Sequence, residues 1–425
     1  MWVRKRLDIS WRDLLFAVTQ CGWPGNSLSS WQKGGGAWCG ADDVLPCLSV
    51  RSGFDLLLGA LDFPPKSELL VSALTIPDMV RIAEDHGLVA VPVDLDLDTA
   101  GPSVESMRRA ITPATRAVVV AHLFGGRTRI EPILDLARQH RLLVVEDCAQ
   151  AFHGARYRGH PQADVSMFSF GSIKTATALG GGVLRVRDAE LLRRMRDRQA
   201  AWPVQGRWNY LRRLLKYALL KVLSSRACFG LVVRTWAALG RDYDRLVNGS
   251  VRGFPGPDFF ARIRRQPSAP LLTLLARRLE GYDEGRLSRR TSNGEVLASL
   301  LGETVACLGL AMNPHNYWVF PILAEEPERV IAGLRRAGFD ATQGQSMCAV
   351  APPPDRPEQA PRNAANALAK IVYLPNYPEL PERAARKMAE VVLRTAEKPA
   401  FLNNGSPRAP QAPARPVSGS PAVEG

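Results

Sequence analysis

Lys174 and Asp147 are the residues of this 425-residue chain whose types and settings best suit chemistry. Lys174 lies in a Gly/Ser turn just past a short apolar strand, Val165 to Phe170. The run is Asp164-Val-Ser-Met-Phe-Ser-Phe-Gly-Ser-Ile-Lys174-Thr-Ala-Thr-Ala-Leu-Gly-Gly-Gly182. Only nine of the 55 basic residues are lysine, so a lysine between apolar and glycine residues is not casual surface charge. A second apolar strand, Leu142 to Val145, ends in Glu146-Asp147-Cys148-Ala149-Gln150. Two strand ends thus offer a lysine, a carboxylate and an amide.

That set suits pyridoxal phosphate, which needs a lysine to hold it as a Schiff base. It also needs a carboxylate to keep its ring nitrogen protonated, so that the ring accepts electrons from a substrate carbanion. Asp147 can be that carboxylate. Lys174, once displaced by a substrate amine, can move the proton as general base and acid. Ser169, five residues earlier, can hydrogen-bond the phosphate together with N–H groups of the turn. Taken singly, Asp147 could equally cap a helix and Lys174 could be a loop lysine. Together, with Ser169 and the glycines, they predict a cofactor site. His122, at a strand end, reads as a structural histidine, and His153 is open between the two roles.

The segments Glu146-Asp-Cys-Ala-Gln150, Asp164…Phe168-Ser-Phe170…Lys174 and Gly181-Gly182 resemble the DegT/StrS-type sugar aminotransferases, fold type I pyridoxal-phosphate enzymes. Ser52-Gly53 before an apolar helix is similar to that family's Ser-Gly-Thr phosphate turn. Pro92-Val-Asp94, His122-Leu-Phe-Gly125 and Leu374-Pro-Asn-Tyr-Pro378 resemble three further motifs. The likeness covers about residues 45–200 well and 265–395 loosely. It implies Lys174 as the Schiff-base lysine, Asp147 at the pyridine nitrogen, Gln150 near the ring hydroxyl, and Ser169 with Gly53 at the phosphate. Three positions depart from the pattern. Phe54 replaces the phosphate-turn threonine, Ile76 replaces the aromatic that stacks on the ring, and Ile263 and Arg264 stand where a partner-subunit asparagine is expected.

The elements that must position these residues follow from hydrophobic pattern. Strands at Leu69 to Ala73, Leu88 to Val93, Ala117 to His122 and Leu142 to Val145 alternate with helices at 77–86, 104–111 and 130–140. The last helix places Ile130, Ile133, Leu134 and Ala137 on one face. Such alternation predicts a mostly parallel sheet with crossover helices, and a ligand beyond the strands' carboxyl ends. A strand at Val183 to Val186 completes the sheet. A long helix from Pro270 through Leu301, a strand at Tyr317 to Leu323, and helices at 326–337 and 382–395 predict a smaller α+β unit. The expected organisation is an arm at 1–45, a large cofactor-binding domain at 46–260, a linking helix with the small domain at 261–397, and a disordered tail at 398–425.

Within the large domain, residues 200–260 form a basic helical insertion. Leu211, Leu214, Leu215, Ala218, Leu219 and Val222 share a face opposite Arg212, Arg213, Lys216 and Lys221, and a second apolar piece runs from Cys228 to Leu239. Contact of residues 210–239 with an anionic membrane surface is one reading; packing on the core or on a partner subunit is the other. Seven cysteines at irregular spacing predict neither a disulfide frame nor a metal site. The net charge of +14 comes from dispersed arginines without a nucleic-acid-binding signature, so nucleic acid is not expected and an acidic substrate or surface is. No apolar run reaches the ~18 residues of a spanning helix, and charges interrupt any leader-like start. The expected location is therefore the cytoplasm, with the inner membrane as a peripheral contact.

The sequence reads as an α/β, fold type I pyridoxal-phosphate transferase acting as a homodimeric aminotransferase. The resemblance implies glutamate as amino donor and a keto-sugar nucleotide or related glycan or lipid precursor as acceptor. A lyase or desulfurase on the same fold, or a non-catalytic regulatory relative, is the alternative.

Overall fold

The structure, a computed structural model, describes residues 1–396 except 24–30, 32–37, 226–227, 231–234, 236–253, 255 and 345. The tail expected to be disordered and most of the second apolar piece of the insertion lie outside the described residues.

Helix α1 (Trp11–Gly22) starts at a reciprocal cap between Ser10 and Asp13. It precedes β1 (Val44–Cys47) and α2 (Val50–Leu61). Then come β2 (Glu68–Ser72), β3 (Leu74–Thr75), α3 (Pro77–Asp85), β4 (Val89–Val93), α4 (Val104–Ala110), β5 (Thr115–Ala121), α5 (Glu131–Gln139), β6 (Leu143–Asp147), β7 (Val165–Ser169) and β8 (Gly182–Val186). Seven of these strands form one sheet in the order β1-β8-β7-β6-β5-β2-β4. The pairs from β4 to β7 are parallel, while β8 and β1 add antiparallel at one edge. Strands β2, β4, β5 and β6 are rich in Val, Leu and Ala because helices cover both faces, as parallel sheets require. One core lies under α2 and α3, another under α4 and α5.

The chain continues through α6 (Ala189–Ala200), α7 (Arg207–Leu223), α8 (Phe259–Ile263), α9 (Ala269–Glu280) and α10 (Glu284–Leu301). The expected single helix over 270–301 is two helices. Gly281 ends the first and Asp283 caps the second by accepting from the Gly285 N–H; Gly and Asp are the residues that favour such stops and starts. Next come β9 (Phe320–Leu323), α11 (Pro327–Arg336), β10 (Cys348–Ala349), α12 (Arg362–Lys370), β11 (Ile371–Leu374) and α13 (Glu382–Thr395). The antiparallel pair β9–β11 packs with α10, α11 and α13 around a separate core of Leu297, Phe320, Leu334 and Met388. Short β10 leaves that unit to pair with β3 of the large sheet's neighbourhood.

Helix α7 differs from its expected orientation. Tyr210, Leu214 and Tyr217 face the core, whereas Trp208, Leu215 and Leu219 are 74, 55 and 61% exposed. Aromatic rings, not the leucine stripe, fill the interior groove. Among the described residues no helix is long and apolar enough to cross a membrane.

Candidate active site

Asp147 ends β6 and Ser169 ends the neighbouring parallel strand β7, two residues past Met167, which pairs with Asp147. Their carboxyl ends therefore open on one edge of the sheet, where ligands of such folds bind. The chain then turns through Lys174 in a tightly bonded loop. Lys174 N–H donates to Gly171 O at 2.9 Å, Phe170 exchanges bonds with Ala178 and Gly181, and the Thr177 hydroxyl donates to Gly171 O at 2.6 Å. Ala176 and Leu179 hold positive φ, 53° and 58°. Left-handed backbone in non-glycine residues persists only where the surroundings enforce it. A Cβ placed on Gly171 would lie 3.7 Å from Ser169 Oγ and 3.9 Å from Lys174 Cγ, so both side chains flank the same small residue.

The smaller unit braces this loop from the far side. The Arg290 guanidinium donates to Thr175 Oγ1 at 3.0 Å and to Asn316 O and Oδ1 at 2.8 and 2.9 Å. The Trp318 indole N–H donates to Ile173 O at 3.2 Å, and its ring centroid lies 4.3 Å from Lys174 Nζ.

Burial lowers the Lys174 amine to about 8, with the Asp147 charge working against the shift and Arg51 reinforcing it. Burial likewise raises the Asp147 carboxyl, against the Ala149 N–H bond to Oδ1 (2.9 Å) and the nearby charges of Lys174, His122 and Arg51. The two groups are thus an electrostatic pair: each charge offsets part of the burial penalty on the other. Gln150 is fixed by accepting the Phe124 N–H at 3.0 Å, with its amide nitrogen 3.9 Å from Met347 Sδ.

These residues suit pyridoxal phosphate. An amine near pKa 8 is readily neutral and nucleophilic, and a burial-raised carboxyl gains from the N–H of a protonated ring. Arg51, at the start of α2 and ion-paired with Asp78 at 2.5 Å, adds positive charge beside Lys174 and Asp147.

Gly53 and Phe54 lie within α2. Phe54 is fully buried in the core beneath α2. Gly53 uses its N–H on Ser49 O, and a Cβ there would meet Leu184 Cδ1 at 2.2 Å. The helix begins at Val50, capped by Ser49, so its first turn is already closed at the point where the phosphate turn was expected. Gly53 packs closely on β8, and the neighbouring Arg51 is ion-paired with Asp78 at 2.5 Å. Arg51, Trp318 and Arg290 were missed. The Arg beside Ser52-Gly53 was a usable signal, whereas nothing in the sequence marks the other two.

Of the residues where the resemblance fails, Ile76 sits at the end of β3, partly buried against the core. Arg264 forms ion pairs with Asp55 at 2.8 Å and Asp85 at 2.5 Å.

His122 is structural. Its Nδ1 accepts the Thr128 N–H at 3.0 Å and its Nε2 lies 2.8 Å from Glu146. The Glu146 carboxyl, though burial pushes it up, is brought down to about 2 by His122, Tyr157 and the His160 N–H. Glu146 also accepts from Ser166 at 2.8 Å. His122, Glu146 and Cys148 come within 4.8 Å of one another, but both imidazole nitrogens are engaged. The group locks the sheet's end as a hydrogen-bonded cluster. His153 is held neutral, lowered to about 3 by burial and the Arg127 charge.

A model of the DegT/DnrJ/EryC1/StrS aminotransferase family matches residues 18–211. GDP-perosamine synthase of Caulobacter vibrioides is 32% identical over 220 residues, 48% of this chain and 59% of that protein. The dTDP-3-amino-3,4,6-trideoxy-alpha-D-glucose transaminase of Streptomyces venezuelae is 33% identical over 176 residues, 40% of this chain and 46% of that protein. The matched stretches thus span less than two thirds of these relatives. Over nearly the whole chain the fold is that of the aminotransferase TlmJ from Streptoalloteichus hindustanus, with a TM-score of 0.67, 18% identity, and coverage of 93% of this chain and 98% of that one. The sugar aminotransferase CalS13 from Micromonospora echinospora gives a TM-score of 0.62 at 20% identity, covering 93% of this chain and all of its own. The strand ends that carry Asp147, Ser169 and Lys174 all fall inside residues 18–211, the segment that matches the DegT/DnrJ/EryC1/StrS aminotransferase family model.

Proposed function

We propose that the protein is a pyridoxal-phosphate-dependent aminotransferase that moves an amino group from an amino acid, glutamate foremost, to a keto acceptor. The acceptor is a keto-sugar nucleotide or a related glycan or lipid precursor. The observation that carries this is the placement of Asp147 and the Lys174 loop at the ends of the adjacent parallel strands β6 and β7, close enough for their charges to act on each other. The family-model match over residues 18–211 and the names of the curated relatives support the sugar-linked acceptor.

When bound, the cofactor supplies an electron sink for the substrate carbon. Lys174 anchors it and then holds and delivers the proton from Nζ. Asp147 would hold the ring nitrogen, Gln150 the ring edge and Ser169 the phosphate, with Arg51, itself paired to Asp78, adding positive charge beside the site. The working form is a homodimer.

The test is an absorbance spectrum of the purified protein. A cofactor band that bleaches with glutamate and returns with a keto compound supports transfer. Bleaching without return points to lyase or desulfurase chemistry, and the absence of any band rejects the enzyme.

The outer face of α7 further proposes a peripheral membrane contact on the cytoplasmic side. Trp208, Leu215, Leu219 and Val222 repeat at helical spacing and are exposed, with Arg212 and Lys216 among them. An apolar stripe set in positive charge suits an anionic bilayer surface, each basic side chain contributing about 1 kcal/mol. Lys221 is engaged in the fold, donating to Ile9 O at 2.6 Å. Binding to anionic vesicles should weaken steeply with salt and drop at least tenfold in Arg212→Gln/Lys216→Gln, with the cofactor spectrum unchanged. No binding of the unmodified protein at low salt would leave the face as a subunit contact.

A further inference from the structure

We infer that Lys5 receives the α-carboxylate of the amino donor, carried to the Lys174 site by an N-terminal strap; this rests on the aminotransferase reading above. The strap is pinned at both ends. At one end, Trp2 exchanges backbone bonds with Gly338 and Asp340 at 2.7 and 2.8 Å, and Arg4 donates to the Asp340 carboxylate at 2.9 and 2.7 Å. At the other, Asp8 accepts from Ala176 N–H at 2.8 Å, Tyr282 OH at 2.9 Å and Arg286 Nε at 2.7 Å. Ala176 is two residues past Lys174, so the strap ties the smaller unit to the lysine loop.

Between these anchors Lys5 points into the cleft shared with Lys174, Arg290 and Trp318. Its ammonium nitrogen is buried without a hydrogen-bond partner. It lies 3.1 Å from the centroid of the Trp318 ring, the same ring that Lys174 Nζ approaches at 4.3 Å. The indole face attracts an ammonium but accepts no ordinary hydrogen bond.

The other charges of the cleft are engaged within the chain. Asp8 takes Arg286 and Tyr282, Arg286 also holds Glu379 at 2.8 Å, and Arg290 binds Thr175 and Asn316. Lys5 Nζ thus makes no hydrogen bond to a carboxylate of the cleft; burial first, then the Lys174 and Arg290 charges, hold its pKa well below the usual lysine range, with the Asp8 charge acting the other way. An incoming oxyanion would remove both penalties.

The donor's carboxylate is the oxyanion that must come here. It stands two bonds from the amine that displaces Lys174, and Lys5 and Lys174 border one indole.

The experiment compares holoenzyme half-reactions with L-glutamate and with its α-carboxamide, for the unmodified protein, Lys5→Met, Lys5→Gln and Lys5→Arg. The expected result for Lys5→Met and Lys5→Gln is an unchanged cofactor band, glutamate affinity weakened at least tenfold, carboxamide affinity unchanged, and partial recovery in Lys5→Arg. Unchanged preference for the carboxylate in the neutral variants, or weakening confined to the keto acceptor, overturns the assignment while leaving the aminotransferase standing. If the unmodified protein shows no cofactor band, the aminotransferase reading falls and this one with it. Should Lys5→Met not fold, the Gln and Arg pair decides the matter by the same ratio.

Discussion

Lys174→Ala should fold, take up no covalently held cofactor and lose at least about three orders of magnitude in turnover, within the range that a positioned acid–base group supplies. Trp318, whose ring the amine approaches, keeps its own bond to Ile173 O, so the loop retains its brace. Borohydride treatment followed by peptide mapping checks the point: a reduced adduct on any other lysine refutes the assignment. The variant also carries a stability signature in the cofactor-free protein. Lys174 titrates at about 8 when folded against 10.5 for an ordinary lysine, so the fold disfavours its protonated form. That cost is complete below pH 8 and fades as pH climbs toward 10.5. Lys174→Ala should therefore melt higher than the unmodified protein below pH 8, and the gap should close above it. For the same reason the unmodified protein should capture cofactor faster as pH rises through 8, because only the neutral amine attacks.

Asp147→Asn should keep the cofactor covalently attached yet lose at least tenfold in turnover, since an unprotonated pyridine is a poor electron sink. A loss below tenfold, about 1.4 kcal/mol of barrier, would show that Asp147 is not the ring's partner. The substitution preserves the acceptor for the Ala149 N–H, so the strand end should hold its shape. It removes the charge that supports the ammonium of Lys174. The pH dependence of cofactor capture should accordingly shift below 8, a displacement that mere loosening of the site would not produce.

The core of this arrangement was legible because it is local. Strand, helix and strand alternate in short runs from Glu68 to Asp147, and a two-residue step from Met167 reaches Ser169, so hydrophobic period alone carries both to the sheet's edge. What escaped comes from sequence-distant partners. Arg290, Asn316 and Trp318 reach the lysine loop only because the β9–β11 unit docks against it. The helix break at Gly281 to Asp283 was missed because a leucine- and arginine-rich run on both sides masks one glycine and one capping aspartate. Tyr210 and Tyr217, which the apolar face read for α7 leaves out, are with Leu214 its interior residues, because their rings fill the groove that the shorter leucines do not. Lys5 was the plainest oversight: the scarcity of lysine that singled out Lys174 applied to it equally.

The groups gathered around Trp318 come from positions 5, 174, 290 and 316, nearly three quarters of the chain. Contacts of such separation close late, because each must first overcome the entropy of the loop it closes. A chain with its sheet formed but its strap or smaller unit undocked would hold Asp147 and Ser169 in register and still present a floppy, solvated Lys174. Cofactor uptake is then the last event of maturation, and the bound cofactor, favouring only the completed form, acts as the clasp that keeps the strap and both cores together.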